Sequence, residues 1–343
     1  MVSAGWKSGW AAREGEREML DPREVVTAQE WYACSLTRQE IKSLLTRDDY
    51  HAWLSVVGWL ALMAASGYLA FRLYPSAWAI PAFFLYGLIY SSNNAKWHEC
   101  SHGTAFRTPW LNDIVYFICG AMEFRDTVEF RWSHTRHHSY TIITGVDPEI
   151  AVPRPPNLLF VLLDFFYLRM GSYAVKDLIL NSVGVPAKAV KAYVPEQEYA
   201  RMFWSARAVL VLQIVPVALA IAFHSWLPVL FFGLPRFYGA AVSWAFILLQ
   251  HVGLAQNVWD HRLSTRSLHF NFLLSFLYLH MENHIEHHMY PLIPFHALPR
   301  LRERVKAQMP RPYRGLWDGG RELVPVLFRQ KKDPSVFIRR QVP

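Results

Sequence analysis

Fifteen of the 343 residues are histidine, and they are gathered: WHECSH occupies 97–102, SHTRHH 133–138 and NHIEHH 283–288. A neutral imidazole offers one lone-pair nitrogen to a metal, so clustered histidines equip a chain for transition-metal chemistry. The pattern H-x-x-H-H would arise by chance in roughly 3% of chains of this composition, and twice in about one per thousand. On a helix, His98 and His102 share a face, as do His134 with His137 and His138, and His284 with His287 and His288. Each cluster can therefore aim its rings at one point. Seven or more imidazoles exceed the needs of one tetrahedral or octahedral ion, and two metals are the economical reading.

Other residues near these clusters have supporting chemistry. His251, in LLQHVGL, falls at the same expected depth and could supply a further ligand. Glu99, Glu282 and Glu286 could accept a hydrogen bond from a ligand N–H, and Asp147 and Glu149 in TGVDPEI either orient the second cluster or cap a turn. His280 sits one turn before His284; His261, His269 and His296 are unclustered and read as supporting or surface residues. WHECSH also satisfies H-E-x-x-H, in which two histidines bind zinc and the glutamate activates water. A membrane zinc metalloprotease using His98, Glu99 and His102 is thus the alternative, though it leaves both H-x-x-H-H clusters unexplained.

These clusters have to be positioned by membrane elements. Residues 52–71 run for twenty positions without a charge, enough to span a hydrocarbon core of ~30 Å. Crossings are expected at about 52–72, 77–95, 207–224 and 228–250, with 1–50 as an N-terminal segment, 51–300 as the membrane domain and 301–343 as a basic tail. The turns at 72–77 and 223–228 hold a single basic residue, Arg72, so the other polar parts, both termini and all three clusters are expected on the cytoplasmic side. The fold class that follows is an all-α integral membrane protein, four helices under a helical cap. The runs 114–122 and 158–168 are too short to span and read as interfacial or core-packed helices. The first twenty residues lack an apolar signal region, so the first crossing is expected to direct insertion.

Composition narrows the function. A formal net charge of +8 would suit nucleic acid, but 22 Phe, 16 Tyr and 14 Trp beside long uncharged runs fit a membrane protein with basic inner loops better. Cys34, Cys100 and Cys119 form no paired pattern, which excludes a disulfide framework and a rubredoxin-like iron site. Arg236, between two apolar runs, could hold a substrate carboxylate or snorkel from a helix boundary. Trp78, Phe83, Phe84, Tyr86 and Tyr90 could line an apolar tunnel or pack helices.

Four crossings with His98-x3-His102, His134-x2-His137-His138, His251 and His284-x2-His287-His288 resemble the membrane fatty-acid desaturase and alkane hydroxylase superfamily over roughly residues 50–300. The stretches RTPWLND, RWSHTRHH, GVDPEI, QHVGLAQNVWDHR and NHIEHHMYPLIPFHALP look most like a bacterial branch that includes rhizopine oxygenase-like proteins and the dihydrorhizobitoxine desaturase. The resemblance implies a non-heme di-iron centre of two iron ions held by His98, His102, His134, His137, His138, His251, His284, His287 and His288. It also implies O2 as co-substrate, a separate ferredoxin-type electron donor with its reductase, and a bacterial inner membrane. Loss of hydrogen from an aliphatic C–H and its neighbour would give an alkene, and oxygen transfer an alcohol. A fatty acyl chain or a small aliphatic or amino-acid-like metabolite would be the substrate.

Overall fold

A computed structural model describes residues 31–343; most of the expected N-terminal segment lies outside them. Helices make up the regular structure of the described residues, apart from an isolated bridge between Leu268 and Tyr313. Helix α1 (Asp49–Leu73) starts where the Asp48 carboxylate accepts from the His51 backbone N–H, which satisfies one of the free donors of its first turn. It packs against α2 (Ala79–Ser91), and the Trp59 indole donates to the Ile89 carbonyl at 2.9 Å across that hairpin. Almost without interruption α2 continues into α3 (Asn93–Ser101), so the first histidine cluster is carried on an extension of an apolar helix.

Helix α4 (Pro109–Met122) follows, then α5 (Thr127–Ser139), whose cap Asp126 accepts from the Val128 and Glu129 N–H groups. The apolar stretch 158–168 begins a helix that turns by 73° near Tyr167 into α6 (Leu168–Ser182). Helix α7 (Tyr199–Ala222) begins about two turns before the expected crossing at 207–224. Of the described helices, α1 and the one ending at Ala222 are long and apolar enough to cross a membrane.

The expected span at 228–250 is broken. A five-residue π turn at Val229–Gly233 and a short helix at Pro235–Tyr238 precede α8 (Ala241–His251). Pro228 and Pro235 cannot donate to a helical ladder, and at Gly239 the chain presses directly on α2. A Cβ on Gly239 would lie 2.0 Å from the carbonyl carbon of Gly87, an approach that only glycine permits. At 11 residues, α8 is about 16 Å long and does not span by itself.

The third cluster sits on the short helix α9 (His284–Met289), held by Ser267, whose hydroxyl accepts from the Ile285 N–H at 3.1 Å and donates to Glu286 at 2.6 Å. Residues 301–343 do not hang free as a tail. Helix α10 (Leu316–Lys332) buries Leu323, Val326 and Leu327, with Gly319 against Leu249 of α8, and the Ile338 N–H donates to the Gly253 carbonyl two residues past His251.

Candidate metal centre

Nine histidines from five places in the chain meet at one locus. His98 comes from α3, His102 from its C-terminal cap, His134, His137 and His138 from α5, His251 from the last position of α8, and His284, His287 and His288 from α9. Two groups form within it. Donor atoms of His98, His102, His134, His138 and His287 lie within 4.8 Å of one another, and so do those of His137, His251 and His288. His284 joins the second group, its Nε2 standing 3.2 Å from that of His251 and 3.1 Å from that of His288. The groups touch where the His138 and His288 rings stack, centroids 4.3 Å apart.

This partition corrects the expectation that each cluster aims at one point. In H-x-x-H-H on α5, the i,i+4 pair His134 and His138 enters the five-histidine group while His137 enters the other; on α9 the pair His284 and His288 enters the second group and His287 the first. Residues at i+3 and i+4 share a face but point to its two edges, some 100° apart at adjacent positions, and two sites close together divide them.

The nitrogens are arranged as ligands. Nε2 atoms approach at 3.1 Å for His102 with His134, 3.1 Å for His134 with His138 and 3.2 Å for His138 with His287. Such spacings match the edges of a polyhedron with metal–nitrogen bonds of about 2.1 Å. The outer nitrogens show where the protons sit. His251 Nδ1 is 3.1 Å from the Ser264 carbonyl, which can only accept, so Nδ1 carries the proton and Nε2 the inward lone pair. The Thr141 hydroxyl is committed to the His137 carbonyl at 2.8 Å, so at 3.1 Å it accepts from His288 Nδ1. His137 Nδ1 donates to Asp147 at 2.9 Å and His134 Nδ1 to Glu149 at 3.0 Å. Lone pairs facing each other at 3 Å repel unless a cation lies between them. Both ring nitrogens of His98 are buried, and neither has a partner among the described residues. The donor set fits a pair of transition-metal ions.

Burial keeps the imidazoles neutral, as ligation requires. It pushes His98, His134, His138, His284, His287 and His288 well below the ordinary histidine range, and His102 down to about 3. His137 is the exception: burial lowers it, but the Asp147 carboxylate more than offsets this and raises it. Burial also raises Glu149.

The remaining candidates are placed elsewhere. Glu99 Oε1 accepts from the Thr104 hydroxyl at 2.7 Å and from the Phe295 N–H at 3.1 Å, and contacts no imidazole; burial raises it to about 7. Directed into that loop, it is not poised as the water-activating base of a zinc protease. Glu286 is tied to Ser267 rather than to a histidine. His280 pairs with Glu282 at 3.3 Å, outside the ring cluster. His261, buried beside His288 at 5.2 Å between centroids, contributes no nitrogen contact. Arg236 neither snorkels nor stands free for a carboxylate: it is 3% exposed, paired with Glu123 at 2.7 Å and with Ser243, and lies 4.4 Å above the Tyr167 ring. Phe83, Tyr86 and Tyr90 pack the helices, with the Tyr86 and Tyr90 hydroxyls on the Phe231 and Phe232 carbonyls, and Trp78 and Phe84 face outward. Thr141 and the Ser264 carbonyl escaped the sequence reading; a hydroxyl three residues past a histidine pair and a backbone oxygen leave no pattern.

A cleft of about 3750 Å³ opens onto the centre, bringing His98, His134, His251 and His284 together with Phe246, Ile247 and Met281 and, farther along, Glu123, Arg236 and Tyr278.

Comparison with known proteins agrees with this geometry. Residues 75–320 match the family model "Fatty acid desaturase", and the chain belongs to that family. A curated relative, the sn-1 oleoyl-lipid 12-desaturase of Arthrospira platensis, is 28% identical over 111 residues. That match covers 29% of this chain and 28% of the relative, so the chain spans well under a third of the curated protein it resembles.

Proposed function

We propose that this protein is an integral membrane di-iron oxidase that acts on an unactivated aliphatic C–H bond, as desaturase or hydroxylase of a fatty acyl chain or a small aliphatic metabolite. The observation that carries the reading is the convergence of nine mostly buried imidazoles, in two touching groups, in a chain of the desaturase family. His98, His102, His134, His138 and His287 would hold one iron, and His137, His251, His284 and His288 the other. Bound there, the iron pair supplies the oxidising power, with O2 and electrons from a separate ferredoxin-type donor and its reductase.

The chain's own residues hold and orient. Asp147, Glu149, Thr141 and the Ser264 carbonyl fix ring tautomers, so that lone pairs stay directed inward before any metal arrives. Phe246, Ile247 and Met281 give the cleft an apolar wall against which a hydrocarbon segment can lie, excluding water from the reacting C–H. The domain plan follows the same reading: residues 51–300 form the membrane unit, with α1 and α2, α7, and the broken segment ending in α8 as its four crossings. A cytoplasmic cap, both termini on that side and a bacterial inner membrane complete it.

Metal analysis of detergent-purified protein, followed by product mass spectrometry under 18O2, tests the proposal. Two irons per chain are expected. Label in the product identifies hydroxylation, and a loss of about two daltons without label identifies desaturation. Zinc alone, or turnover that consumes no O2, would overturn it.

A further inference from the structure

A separate donor cluster lies at the start of α1, outside the nine histidines. His51, in the first turn, places Nδ1 2.8 and 2.9 Å from the two Asp48 oxygens. His296, on the segment that follows α9, stacks on it with centroids 4.6 Å apart and planes 15° from parallel. The His296 Nε2 is 3.6 Å from Asp48 Oδ2, beyond hydrogen-bond reach, and has no partner among the described residues although the side chain is only 8% exposed. One donor atom from each of the three residues falls within 4.8 Å of the others.

We propose that Asp48, His51 and His296 form a second, independent site for a divalent transition-metal ion of the zinc class. Two imidazoles and one carboxylate are a borderline-soft set that suits zinc, nickel or copper and disfavours magnesium and calcium, which seek oxygen. Three protein ligands leave a coordination position for water. His51, about half exposed, supplies an entry path, while the enclosed His296 Nε2 gains the partner it lacks among the described residues. Burial holds His296 below the ordinary histidine range, which keeps it in its ligating form.

Such an ion would act as a clamp. It would join the start of α1 to the segment after the third histidine cluster, whose Phe295 N–H reaches Glu99, the neighbour of His98. On the α1 side, Asp49 already accepts from the Thr108 hydroxyl and N–H at 2.6 and 3.0 Å. The clamp would thereby tie three parts of the chain at the edge of the metal centre.

The test is zinc titration of the full chain in detergent, counting zinc bound after desalting, for wild type, His51→Asn and His296→Asn. About one more zinc per chain is expected in wild type than in His296→Asn, with at least about tenfold weaker binding in His51→Asn and the same iron content in all three. Zinc should also raise the melting temperature of wild type more than that of either variant. Because the readout is a difference between proteins sharing the same histidine centre, it holds whether or not that centre carries iron. His51 is half exposed on a helix surface, so its variant decides the matter if His296→Asn fails to fold. Equal zinc stoichiometry and affinity in wild type and His51→Asn would overturn the proposal.

Discussion

The two imidazole groups are built differently. In the four-histidine group, three rings have their outer nitrogens fixed by hydrogen bonds, His137 to Asp147, His251 to the Ser264 carbonyl and His288 to Thr141. Among the described residues, in the five-histidine group only His134, on Glu149, has its outer nitrogen fixed, while the Nδ1 atoms of His98, His138 and His287 are enclosed without partners. Close packing surrounds these rings: Phe130, stacked on Trp97 at 3.5 Å, stacks on His134, and the His98 ring lies 4.4 Å from that of His134 and 4.7 Å from that of His287 between centroids. One half of the centre is thus aimed by hydrogen bonds and the other by shape. A hydrogen bond selects a tautomer as well as a direction; a packed ring is held in place but must be poised by the ion itself.

The comparison breaks most visibly at the histidines that cross between groups. Replacing His138, which is 3.1 Å from His134 in its own group and stacked on His288 of the other, should lower occupancy of both metals. For His138→Ala we expect loss of both irons by elemental analysis and a fall in activity of about 100-fold or more. Loss of a single iron with the other intact would mean that the groups are separable.

The next effect is at Asp147, fully enclosed and serving the hydrogen-bonded half. Asp147→Asn should weaken iron at the four-histidine group by about 10- to 100-fold in a chelator competition. Glu149→Gln should cost less, toward the lower end of that range, because Glu149 is 20% exposed and serves a group aimed mainly by packing. If the two substitutions had equal effects, the distinction drawn here would fail.

The smallest expected effect is on pH. A buried histidine with a depressed pKa stays neutral in the folded chain, whereas the unfolded chain takes up a proton below about 6.5. Metal-free protein should therefore keep full stability above that value and lose it as the pH falls further. His137, raised by Asp147, and the buried carboxyls of Glu99, Asp126 and Glu149, raised by burial, oppose the trend but are outnumbered by the lowered histidines of the centre. Thermal melts of metal-free protein between about pH 8 and pH 5.5 would measure this. A melting temperature that stays flat or rises toward pH 5.5 would contradict neutral burial of the rings.

The convergence of these histidines was legible in the sequence because H-x-x-H-H and H-x3-H are helical spacings that put the rings on one face. Their division between two groups was not, since adjacent positions on a short helix diverge by an angle whose meaning depends on where the neighbouring helices stand. Arg236 shows the same limit: its partner, Glu123, lies 113 positions away, and no local pattern joins them. The apolar run at 228–250 suggested one crossing, but the prolines and Gly239 could be weighed correctly only against Gly87 on the facing helix. Glu99 was misjudged because proximity in sequence to His98 says nothing of direction.

Because α5 and α9 each lend two rings to one group and one to the other, the gap between the two groups is set by a single helical turn rather than by how separate parts of the chain come together. Thermal breathing of the loops can tilt the assembly as a whole without stretching that gap. Spacing is thus written into the backbone pitch, the stiffest ruler a polypeptide has.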